Sequence, residues 1–303
     1  MSSVFGRRSP RRRRLGALLR GMRRDAGLSG EALAARLDVS QSHLSRVELA
    51  DAAPDPEFVD RWAQECGAAP GLREAAADLA ASVAVEVTTW RAALASGLVK
   101  LQRDAAEAEA AASTISAWVP MLIPGLMQTA SYAHHLVGGD YPERDDVAEA
   151  VAARMARQPI LYDRSKRLRW VIGEAGLRWR VGPPDVMAAQ LDRVAVLAAE
   201  PHLDVRVLPF SRTAPVWHDH GFTILADRAD DQPDLVHLEL LTGPANVTEP
   251  GAVAAYKEAY ERLAALAVGG RDAVAVVRTV MAEFAGERRT MSATTQGARL
   301  SPE

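Results

Sequence analysis

The sequence predicts a mainly α-helical chain whose second half is an α+β domain, and three observations carry that expectation. Apolar residues recur with helical spacing from Leu15 through the first third of the chain. Short apolar, β-branched runs of strand length appear only later, at Leu168–Ile172, Val205–Leu208, Phe222–Ala226 and Leu235–Leu240. Between these regions Pro120 and Pro124-Gly125 punctuate the pattern. A chain of 303 residues is long enough for two such domains.

Taken in order, residues 1–14 are polar and arginine-rich, and read as a basic arm disordered until it meets an anion. Leu15, Leu18, Leu19 and Met22 then follow the i, i+3, i+4, i+7 spacing of one helix face, and Gly27 stops that helix. Ser29 is placed to cap a second, short helix carrying Leu33, Ala34 and Leu37. Ser40 is placed to cap a third, with Leu44 and Val47 facing inward. Asp51 to Pro56 breaks the pattern, and Phe58, Trp62 and Ala63 mark a fourth helix ending near Gly67. We bound this first domain at residues 15–70. Residues 71–112 are alanine-rich, with Leu72, Leu79, Val83, Val87, Leu94, Leu98 and Leu101, and read as a helical linker. The second domain, 113–285, opens with helices near 126–137 and 145–160. The four strand-like runs follow, with a helix at Asp185–Ala199 between the first two. Helices at Gly251–Ala267 and Arg271–Phe284 close it. About four strands plus helices make it α+β. Residues 286–303 read as a disordered tail.

Charge is divided unevenly. Residues 1–50 hold eleven arginines and four acids, a balance of +7, while the whole chain is at −3, so the remainder carries −10. A basic end on an acidic body is a pattern for contact with nucleic acid. No stretch approaches the ~18 consecutive apolar residues of a membrane span, and Met1–Arg14 lacks the apolar core of a secretory signal. The single cysteine, Cys66, excludes internal disulfides and any cysteine-based zinc spacing. These features point to a cytoplasmic protein without a membrane partner.

The run from Leu28 to Glu48 concentrates the argument. Two short helices joined at Asp38-Val39-Ser40 let the second enter a DNA major groove. Leu33, Leu37, Val39, Leu44 and Val47 would hold the pair rigid, while Ser40, Gln41, Ser42, His43 and Arg46 point toward the groove. Glutamine pairs bidentately with adenine and arginine with guanine. Arg7, Arg8, Arg11, Arg12, Arg13 and Arg14 fit a phosphate or minor-groove arm, or alternatively a solvated tail.

Over roughly residues 15–67 this constellation resembles the Cro/CI-type (Xre) helix-turn-helix family, in its core spacing, its caps, Ser40-Gln41 and Ser45-Arg46-Val47-Glu48. The resemblance implies a five-helix DNA-binding domain in which Arg23 and Glu48 form a structural ion pair. Gly30 stands where the family usually has a phosphate-contacting glutamine, and Asp38 where it usually has glycine. Asp51, Asp55 and Glu57 make the following loop acidic where members often place basic residues. From about Ser113 the chain resembles the uncharacterised C-terminal domain of many actinobacterial regulators of this type, on Trp118–Tyr132, Val207–Phe210 and Leu238–Gly243. Some of those are antitoxin-like or developmental and pair with a small neighbouring protein. The resemblance therefore implies double-stranded DNA, a homodimer, and either a small partner protein or a small-molecule effector as partners.

Chemistry is sparse in the second half. No nucleophile elbow, phosphate loop or dinucleotide fingerprint occurs, so neither an enzyme nor a cofactor is expected. Trp217-His218-Asp219-His220, with His237 on a later strand, is the one cluster of metal-binding types. A solvated loop accounts for it as well, and no metal is expected. Trp170, Trp179 and Trp217 either line a ligand pocket together with His218, His220 and His237 or belong to the core.

Overall fold

A computed structural model describes residues 10–52, 54–87, 89–213, 220–229 and 232–298. In chain order the elements are α1 (Pro10–Asp25), α2 (Gly30–Arg36), α3 (Gln41–Glu48), α4 (Pro56–Glu65), α5 (Pro70–Ala84), β1 (Val85–Val87), α6 (Trp90–Leu94), α7 (Leu98–Ala111) and β2 (Ala112–Val119). After a turn of 3-10 helix at Gly125–Met127 come α8 (Ala130–Asp140), α9 (Val147–Met155) and a second 3-10 turn, Gln158–Tyr162. There follow β3 (Arg167–Gly173), α10 (Glu174–Arg178), α11 (Pro184–Ala198), β4 (Leu203–Leu208), β5 (Phe222–Arg228), β6 (Leu235–Leu240) and β7 (Gly243–Val247). The last three are α12 (Pro250–Leu266), β8 (Val268–Gly269) and α13 (Gly270–Ala298). The expected order, helices first and an α+β half afterwards, is what the chain adopts.

The chain divides into two units, one of residues up to Thr114 with Thr223–Lys257, the other of Ile115–Phe222 with residues from Glu258 onward. In the first unit the core joins Leu15, Leu19 and Met22 of α1, Leu33 of α2, Leu44 and Val47 of α3, and Phe58 and Trp62 of α4. Ala76, Ala80 and Val83 of α5 complete it. Residues 71–84, expected in the linker, thus belong to the fifth helix of the first domain, because their small side chains let a helix lie close on α1 and α4. Each of the four helices before it is followed, two residues past its end, by a residue of positive φ: Gly27, Asp38, Ala50 and Gly67. The two expected caps form, Ser29 accepting from Ala32 N at 3.0 Å and Ser40 from His43 N at 3.1 Å, and Asp55 adds a third, accepting from Phe58 N at 2.7 Å.

The same unit holds an antiparallel ladder in the order β1-β7-β6-β5. Trp90 of α6 fastens its β6–β7 turn, donating from Nε1 to Leu240 O at 2.9 Å. In the second unit the order is β2-β3-β4-β8, with β3 and β4 parallel and connected through α10 and α11. α11 packs along α13, and Trp170, Val171, Ile172, Leu191, Val205, Val207, Val277 and Val280 form this core. Gly173 and Gly176 permit the Pro120–Leu122 backbone to lie against β3 and α10, since a Cβ there would meet Pro120 O at 2.5 Å and Leu122 O at 2.7 Å.

All four expected strands form, but β1, β2, β7 and β8 were not expected. β8 has two residues and β1 three, too short for any period. β7 reads Gly-Pro-Ala-Asn-Val, with little β-propensity and every residue buried. β2 continues without a break signal from the alanine-rich helix α7. The 286–303 tail is helical in backbone through Ala298, as an extension of α13.

Candidate nucleic-acid interface

α2 and α3 meet at a turn whose pivot, Asp38, has φ 56°, the left-handed conformation that a short polar side chain tolerates better than most. Val39 N donates back to Ala34 O at 3.0 Å and fixes the exit. Beyond the Ser40 cap, Gln41 and Ser42 are exposed on the first turn of α3, and Ser45 and Arg46 follow half-buried on the next. Ser42, Ser45 and Arg46 share one face by their i, i+3, i+4 spacing. Ser45, named above only for the family resemblance, was not expected to face the groove, although that spacing would have found it. His43 is half-buried, its ring edge-on to Phe58 of α4, centroids 5.5 Å apart and planes at 86°. Gly30 lies against this surface, where a Cβ would make ordinary contact with Gln41 Nε2 at 3.8 Å and Leu44 Cδ2 at 3.9 Å.

The helix carrying these residues is clamped from beneath. Glu48, at the end of α3 and nearly buried, receives Arg23 Nε at 2.6 Å on Oε1 and Arg23 Nη2 at 3.0 Å on Oε2. This is the anticipated ion pair, and its hydrogen bond to Glu48 holds the Arg23 guanidinium above its ordinary range. Arg20 joins it from one turn earlier, Nε to Glu48 Oε2 at 3.1 Å, a contact not foreseen. Arg23 Nη1 also donates to Leu28 O at 2.9 Å, tying the pair to the loop before α2. α1 and α3 cross at Gly16, where a Cβ would fall 2.7 Å from Glu48 O and 2.8 Å from Val47 O.

The basic arm needs correction. α1 begins at Pro10, so Arg11 to Arg14 are its first helical turn instead of a disordered segment. Proline suits the first helical position and arginine propagates a helix well, which explains the earlier start. Arg12 is buried at 8% exposure, and Arg11 Nη1 lies 3.4 Å from Ser82 O near the end of α5. Arg12 is thus packed into the domain, whereas Arg11, Arg13 and Arg14 are exposed. Arg7 and Arg8 lie outside the described residues. In the acidic loop Asp55 is occupied as the cap of α4.

The residues considered for a pocket are placed in contrasting surroundings. Trp170 is buried in β3, and Trp179 is 55% exposed at the end of α10. Burial of this kind marks one core and one surface tryptophan. Trp217 and His218, with Asp219, lie outside the described residues. His220 is half-buried, and His237 on β6 has its Nδ1 2.8 Å from Asn246 Oδ1 on β7. Among the described residues no three histidine, cysteine or carboxylate groups are gathered for a metal. Nor is any described helix long and apolar enough to cross a membrane.

Two family models match the chain. Residues 14–76 match a helix-turn-helix domain, covering the core from α1 into α5. Residues 102–279 match a domain of unknown function, DUF5753. Comparison with curated proteins and with solved structures gives no match. The helix-turn-helix match and the geometry of α2 and α3 together support a DNA-binding regulator. Because the second match spans more than half of the chain, the protein belongs to the DUF5753 family, with a helix-turn-helix domain preceding the family region.

Proposed function

We propose that the protein is a sequence-specific transcriptional regulator that inserts α3 into the DNA major groove. The observation that supports this best is the two-sided construction of α3. One side is locked to α1 through Glu48 and to the apolar core, and the other presents Gln41, Ser42, Ser45 and Arg46, all hydrogen-bonding types. A rigid helix with donors and acceptors at its open end reads base edges, with Gln41 suited to adenine and Arg46 to guanine. Arg13 and Arg14 add phosphate contact from α1. Binding as a homodimer to two related half-sites gives such a short reading surface adequate specificity. Titration of a labelled duplex from upstream of the protein's own gene, against a random duplex, tests the reading: preference for the former is expected, and equal affinity contradicts it.

The region 113–285 then receives the signal. Its family has no assigned activity, and residues 113–285 carry 22 acids against 17 basic residues, a net −5, which suits a basic partner protein by complementarity. A small-molecule effector is the alternative input. A second reading, in which the chain acts chiefly as an antitoxin-like interaction protein, draws support from the acidic Asp55 and Glu57 beside α3. In either reading the protein works in the cytoplasm, catalyses no reaction and needs no cofactor.

A further inference from the structure

We propose that Arg61, on α4, is a DNA-backbone contact, held in place by a three-group stack that reaches α3. This rests on the reading of α3 as the groove-binding helix. The guanidinium of Arg61 lies over the Phe58 ring, its central carbon 5.7 Å from the centroid. Phe58 in turn meets the His43 ring in the first turn of α3. One buried ring therefore separates an exposed arginine from the base-reading turn. An α-helix is ~10–12 Å across with its side chains, and the major groove is ~12 Å wide. A helix seated there fills the groove, so a cation offset sideways by one ring meets the phosphate ridge instead of a base edge.

The loop between α3 and α4 carries carboxylates, and Asp55 is committed to capping α4. Asp60, the neighbour of Arg61 in sequence, is bonded to Gln64 Nε2 at 2.6 Å and to Arg73 Nη2 at 3.0 Å. Arg73 thus satisfies the acid adjacent to Arg61, which keeps its charge available to solvent and stays ordered by stacking, an arrangement that suits arginine over lysine.

The test measures the salt dependence of binding for the full chain and for Arg61→Ala and Arg61→Lys, on the upstream duplex and on a random duplex at low salt. A phosphate contact predicts that Arg61→Ala weakens both complexes several-fold and lowers the salt slope by about one, while Arg61→Lys largely restores the slope. Melting curves of the variants exclude unfolding, which exposed Arg61 gives no reason to expect. Wild-type binding with an Arg61→Ala slope left unchanged overturns this contact alone. A loss confined to the upstream duplex makes Arg61 a base reader and also overturns it. Failure of the wild type to bind either duplex overturns the DNA-binding reading and this contact with it.

Discussion

Single residues set both the precision of the reading helix and the cost of disturbing it. Asp38 holds a left-handed conformation where glycine carries no Cβ penalty, so Asp38→Gly is expected to raise stability by about 1 kcal/mol, seen as an upward shift of the denaturation midpoint. An unchanged or lower midpoint would show that the Asp38 carboxylate itself contributes. Glu48 is the opposite case. It accepts from both Arg20 and Arg23, and Glu48→Gln leaves two guanidiniums facing a neutral amide. A loss of about 2–3 kcal/mol is expected, together with weaker DNA binding if the domain remains folded. Chemical denaturation and anisotropy measured on one preparation separate these effects. Reading such residues from the chain alone succeeded where a local rule acted. Ser29 and Ser40 cap as expected because their side chains reach a backbone N–H within the next turn. It did not show the contact between His43 and Phe58, fifteen positions away in the chain.

At the scale of elements, the crossing of α1 over α3 decides whether the reading helix is rigid. The approach is so close that Gly16 tolerates no side chain: Gly16→Ala should cost about 1–3 kcal/mol, because Glu48 and Val47 carbonyls would have to move. A midpoint within experimental error of the wild type would mean that the crossing is looser than described. The first turn of α1 gives a paired expectation. Arg12→Ala should lower stability, since Arg12 is buried, while Arg14→Ala should leave stability intact and weaken binding on any duplex. The boundaries most visible in the sequence were those of amphipathic helices with caps. α5 was misassigned because alanine is equally at home in an exposed linker and in a close helix contact, and only tertiary packing distinguishes them. β7, rich in glycine, proline and alanine, is a strand because its neighbours β1 and β6 pair with it. Propensity carries little information when pairing decides the outcome.

Across the whole molecule, the net charge of −3 conceals a positive segment of fifty residues and a negative remainder. That division suits one end to DNA and the rest to another task, and the family match leaves the second task without an assigned chemistry. The helix-turn-helix was legible because its spacing, caps and ion pair are local or nearly so. The second unit yields no comparable signature because its cores are assembled from strands and helices far apart in sequence, and burial alone names no ligand. The central claim is that α3 reads DNA sequence, and a competition titration tests it most directly. Wild type and Gln41→Ala are each titrated against the duplex upstream of the protein's own gene and against a random duplex at the same salt concentration. The account predicts that wild type prefers the upstream duplex and that Gln41→Ala loses about 1–3 kcal/mol on it and little on random DNA. Equal losses on both duplexes, or a wild type that does not distinguish them, would contradict it.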